Sequence, residues 1–200
     1  KYPPPEGFLP LCEASNDRPV FTQPNKQAIA VRDWSGSGAQ RQIDCGFQPD
    51  LVVIKTTTDA FYWRVFDSVR GMKGETNKAL YFNTGESAGT NSANDGALDA
   101  NAGGFDISTS GAYTNGSGDD FVGYAFKAGG NKGTWNLNGR DAGSLTAAGL
   151  NYGDTSVLTG ASVNTQTGFS VVTWTQDSGG ASKNIAHGLT KAPNFVIMKH

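Results

Sequence analysis

Short runs of alternating apolar and polar positions cover most of this chain, and clusters of turn-forming residues separate them. Residues 28–34 (AIAVRDW) read as a first strand, and Ser35-Gly36-Ser37-Gly38 as the turn that ends it. Residues 41–45 (RQIDC) follow, then the corner Gly46-Phe47-Gln48-Pro49-Asp50. Residues 51–56 (LVVIKT) are apolar at consecutive positions and β-branched, which predicts a strand buried on both faces. Residues 61–69 (FYWRVFDSV), 79–83 (ALYFN), 104–107 (GFDI) and 120–127 (DFVGYAFK) predict further strands. Residues 113–118 (YTNGSG) read as a tight turn, and residues 84–104 as a long polar surface loop. Helical turns are expected at most in residues 77–83 and 144–150, which are too short to be stable alone.

The pattern contains an internal repeat. GAQRQIDCGFQPDLVVIK, from Gly38 to Lys55, matches GASKNIAHGLTKAPNFVIMK, from Gly180 to Lys199. Gly38 aligns with Gly180, Ile43 with Ile185, Cys45 with His187 and Gly46 with Gly188. After a two-residue insertion, Pro49 aligns with Pro193, Val52 with Val196, Ile54 with Met198 and Lys55 with Lys199. The preceding strand corresponds too: Ile29, Ala30, Val31 and Trp34 against Val171, Val172, Thr173 and Trp174. In each copy a glycine supplies the turn, a proline fixes the next corner, and a lysine leads the apolar strand back to water. An offset of 140 residues at the tryptophan, and of 142 and then 144 elsewhere, is the length of a domain rather than a solenoid repeat.

The expected organisation follows. Residues 1–27 form a proline-rich extended arm or linker, with five of the eight prolines between Pro3 and Pro19. Residues 28–130 are copy one, 131–166 a spacer, and 167–200 the start of copy two. The chain is thus expected to be a piece of something longer, or to complete its second copy with another chain.

Composition narrows the class. The 27 Gly, 18 Thr, 15 Ser and 15 Asn suit turns and polar strands, while 11 Phe, 6 Tyr and 4 Trp supply a core. An all-β antiparallel sandwich is the expected fold. The net charge of −2 and the lack of a basic patch argue against nucleic acid as a partner. No apolar run is long enough to insert in a membrane as a helix. Two cysteines, Cys12 and Cys45, are either a single bridge or two separate thiols. No zinc-ligand spacing exists, and no cofactor is expected.

Candidate chemistry is sparse. Asp119-Asp120 is a weak calcium candidate, more simply a solvated turn, and adjacent strand residues point apart. Asp67 and Ser68 lack a well-placed histidine for a triad, and Arg70 is the natural partner of Asp67. Tyr62, Trp63 and Arg64 are candidate glycan contacts, with one face of residues 61–66 given to the core. Trp34 and Trp174, being repeat-equivalent, are expected to pack.

GF-x-PD-LVVIK, then VFDSVRG, then YTNGSG-x-x-FVGYAFKAGG resemble a repeated domain of virion proteins in marine tailed bacteriophages, including phages of cyanobacteria. The opening YPPPEGFLPLC is similar to the closing segment of a lectin-like sandwich domain that often precedes it. The resemblance implies a jelly-roll or concanavalin-like sandwich in a tail fibre or appendage. It supplies no catalytic residues, and an enzyme is not expected. It fits a homo-oligomer, with a trimer favoured, that contacts other virion proteins and host-surface polysaccharide. The expected location is the virion, assembled in the host cytoplasm. Capsid decoration or head fibre, glycan depolymerase and cellular adhesin are the alternatives.

Overall fold

The computed structural model describes residues 28–72, 78–84, 89–90, 98–108, 111–176 and 181–199. The arm expected at residues 1–27 lies outside them. The first part of the chain forms β1 (Ile29–Ser35), β2 (Arg41–Asp44), β3 (Leu51–Thr56), β4 (Arg64–Asp67), β5 (Lys78–Tyr81), β6 (Gly89–Thr90), β7 (Leu98–Asn101), β8 (Gly104–Ile107) and β9 (Asp120–Phe126). A six-stranded sheet in the order β1-β9-β3-β4-β5-β6 packs on a three-stranded sheet in the order β2-β8-β7. Pairing within both sheets is antiparallel. The fold is therefore an all-β sandwich.

Strand parity explains its core. Val52 and Ile54 of β3 face Ala125 and Gly123 of β9, and Phe66 of β4 stands opposite Val52. These residues point at Ile43, Phe105, Ile107 and Leu98 of the smaller sheet. Trp34 of β1 stacks on Phe121 at 5.8 Å and meets Phe105 edge-on, and its indole N–H donates to the Thr114 carbonyl at 3.0 Å. A Cβ on Gly123 would lie 2.8 Å from that indole, so the glycine inside β9 makes room for the ring. The opposite face of β3 is also covered, with Val53 buried beside Val65, as the unbroken LVVI run predicts.

A second core follows. β10 (Trp135–Leu137), β11 (Arg140–Asp141), β12 (Leu158–Asn164) and β13 (Phe169–Trp174) make a sheet in the order β11-β10-β12-β13. β10 and β12 run parallel. Leu150, Ala161 and Val163 are buried at its centre, with Trp135, Val172, Trp174 and Ile185 packed around them. The expected spacer at residues 131–166 is thus a folded layer, which shares its core with the beginning of copy two. Its strands are short and most of its buried side chains small, which leaves little periodic signal in the sequence.

Other expectations shift locally. The long loop expected over residues 84–104 contains β7, whose Leu98 is fully buried. Residues 77–83 hold strand β5 instead of a helical turn. The tight turn expected at residues 113–118 begins as a single helical turn, α1 (Ala112–Asn115). Among the described residues, no helix is long and apolar enough to cross a membrane.

Candidate functional site

The proposed glycan contacts separate in space. β4 starts only at Arg64, so Tyr62 and Trp63 precede the strand. Arg64 shares the core face with Ile54 and Phe66 and is 1% exposed. Its guanidinium lies between the Tyr81 and Tyr113 rings, 3.9 and 4.0 Å from their centroids. Such stacking offsets part of the cost of burying the charge. Arg64 therefore cannot reach an external sugar, and that assignment is corrected. Tyr62 remains exposed and meets Tyr81 edge-on. Trp63 turns the other way, toward Tyr124. The three residues form no common platform.

The other charged candidates are internally engaged. Arg70 pairs with Asp67 at 2.5 Å, as their spacing suggests. Thr58 donates to Asp119, and Ser35 donates to Asp120 at 2.6 Å. Lys55 donates to the carbonyls of Thr56 and Asp59 at the end of β3. Cys45 is a free, buried thiol, and Cys12 lies outside the described residues. Burial pushes the Cys45 pKa up to about 11; nearby Arg32 lowers it slightly and Asp44 raises it.

The repeat positions show how far the two copies agree. Gly46 and Gly188 adopt the same left-handed backbone, with φ of +77° and +71°, a conformation that glycine takes without a side-chain clash. Gly38 is also left-handed, while its counterpart Gly180 lies outside the described residues. Trp34 is buried in the first core, and Trp174 packs against the second. Pro49 is buried at its corner, whereas Pro193 is exposed. Lys199, the counterpart of Lys55, is half-buried.

The most organised polar cluster lies where the two cores meet. Residues 127–133, which connect them, are held by four buried polar side chains. Asp50 Oδ2 accepts from the Ala128 and Gly130 amides at 2.7 and 3.2 Å. Ser162 donates to the Gly130 carbonyl, and Asn164 Nδ2 to the Ala128 carbonyl. Asn136 Oδ1 accepts from the Lys132 and Gly133 amides, while its Nδ2 donates to the Gly133 and Ala161 carbonyls. A Cβ on Gly129 would come within 2.4 Å of the Val163 backbone. Phe126 stacks on Phe169 at 5.1 Å across the same joint. This explains the PD and KAGG motifs: one supplies the acceptor and the other the backbone that it grips.

Burial raises the Asp50 pKa, while the Ser68 side chain, the amides of Ala128 and Gly130, and Ser162 act in the opposite direction. A cavity of about 300 Å³ opens beside the joint, lined by Phe47, Asp50, Lys127, Asn131, Lys132 and Gly139. In the sequence, Asp50 is marked only by its place after a repeated proline.

No curated protein and no solved structure matches the chain. One family model, described as a domain of unknown function (DUF7483), matches residues 32–200 and so takes in both cores and the joint. The chain belongs to this DUF7483 family.

Proposed function

We propose that this chain is a structural segment of a tailed-bacteriophage tail fibre or related virion appendage, built on jelly-roll-like modules and assembled as a homotrimer. The observation that carries the reading is the joint. Four buried polar side chains fasten residues 127–133 between the two cores, where a flexible tether would leave backbone groups to water. A fibre that holds its reach and direction needs successive units joined in this way. The repeat beginning again at β13, together with the likeness of the GFQPDLVVIK and FVGYAFKAGG motifs to phage appendage domains, supports the same role.

Other virion proteins and host-surface polysaccharide are the proposed partners. Repeated copies would multiply weak glycan contacts by avidity. Light scattering on the purified full-length protein tests the assembly, with a symmetric oligomer, three chains per particle, as the expected result. A protein that stays monomeric at high concentration overturns the fibre reading.

A further inference from the structure

Beside the joint the surface is concave in two adjoining places. The cavity of about 300 Å³ at Phe47, Lys127, Asn131 and Lys132 is followed by a depression of about 170 Å³ at Asn138, Gln166 and Thr167. Lys127 and Gly139 line both, so the two form one groove across the joint. The backbone beneath it is fixed, because Asp50, Asn136 and Ser162 hold residues 127–133. Gly139 keeps the groove open, since a Cβ there would meet nothing within 4 Å. Seams between folded units are common places for ligand sites, and the larger volume is at the small end of their range.

The lining sets the chemistry of an occupant. Among the described residues, neither the Lys127 nor the Lys132 ammonium has a hydrogen-bond or ion-pair partner. The carboxylate in the lining, Asp50, is buried and turns Oδ2 to the Ala128 and Gly130 amides. Ammonium groups only donate, so two of them at one cavity call for an anionic group. The remaining polar groups are neutral and two-sided. Gln48 Nε2 donates to Asn131 Oδ1 at 3.2 Å, which leaves the Gln48 carbonyl oxygen and the Asn131 amino group for a ligand. Gln166 adds a further amide. Such groups match hydroxyls, which both donate and accept. A bare phosphate or sulfate would use the ammoniums and leave the amide acceptors unmet.

We propose that this groove binds an acidic saccharide unit of a surface polysaccharide, with its anionic group on Lys127 and Lys132 and its hydroxyls on Gln48, Asn131 and Gln166. The inference rests on the glycan contact of the proposed function, and it moves that contact from Tyr62 and Trp63 to the joint.

Titration calorimetry of the full chain tests it with three probes: a galacturonic acid tetramer, its methyl ester, which keeps the rings and removes the charges, and a neutral mannose tetramer. Saturable binding of the acid tetramer is expected, with the ester and the mannose tetramer at least about fivefold weaker. Lys127→Gln combined with Lys132→Gln should weaken the acid tetramer about tenfold and leave the ester unchanged. The double variant should keep its thermal midpoint, because neither ammonium has a partner to lose. Ala102→Glu, which puts a carboxylate at the exposed rim of the cavity, should weaken the acid tetramer at least about threefold. Undiminished binding of the acid tetramer by the double variant overturns the site, as does equal binding of the ester. Displacement of the tetramer by an equal concentration of inorganic sulfate also overturns it, since the groove would then hold an anion without reading a sugar. Binding of the mannose tetramer alone overturns this inference and leaves the glycan contact standing. Binding of none of the three overturns both.

Discussion

Asp50→Ala removes the acceptor of two backbone amides inside the joint, those of Ala128 and Gly130. Asp50 is 2% exposed, so water does not readily replace the lost bonds. Leaving a buried donor unsatisfied costs about 1–3 kcal/mol, hence about 2–6 kcal/mol for the pair. Removing a poorly solvated carboxylate returns part of this, and a net loss of about 2–4 kcal/mol is expected. Asp50→Asn keeps a carbonyl oxygen in place and should stay within about 1 kcal/mol of the parent at pH 7. Asparagine already stands at the repeat position, Asn194.

Urea unfolding of the three proteins across pH measures this directly. Because burial raises the Asp50 pKa, the folded protein holds this proton more tightly than the unfolded chain. The associated stability is fully present below the unfolded value, near pH 4, and is lost as pH rises through the folded value. The stability of the parent relative to Asp50→Asn should therefore fall as pH rises from about 4 and then level off. If Asp50→Asn is as damaging as Asp50→Ala at neutral pH, the acceptor argument fails. If the parent's advantage grows with pH, the assignment of the shift to burial fails.

Further predictions concern other parts of the fold. Gly129→Ala would drive a methyl into the Val163 backbone and should cost about 2–4 kcal/mol, read as a lowered midpoint in thermal unfolding. Arg64→Ala should cost about 3 kcal/mol by emptying the space between Tyr81 and Tyr113, while Arg64→Met, which fills it without a charge, should recover most of the loss in the same assay. In native protein Cys45 should resist a thiol-specific disulfide reagent at pH 8, because it is buried and its pKa is about 11, and should react promptly in denaturant. Tyr62→Ala should change stability by less than about 1 kcal/mol, because this ring is exposed.

Much of the sandwich was legible from local pattern. The LVVI run and the FVGYAF alternation each dictate one strand geometry, and the structure uses both at the centre of one sheet. Arg64 defeated the site reading because parity alone does not say which face is buried. The Tyr81 and Tyr113 rings that stack on it come from elements 17 and 49 residues away in sequence. The second core was hidden for a different reason. Ala148, Ala161 and Val163 bury little area each, and the surrounding glycines and asparagines read as loop. Asn136, Ser162 and Asn164 are residue types that mostly face water, yet each satisfies backbone groups of the joint. Tertiary partners of that kind leave no periodic trace in a single sequence.

Purified phage particles offer the most direct test of the proposed role. The proposal expects mass spectrometry of purified tailed-phage particles, with antibody labelling of intact particles, to place the chain on the tail fibres or a neighbouring appendage. Its absence from purified particles, with the protein confined to the soluble lysate, would contradict the proposal.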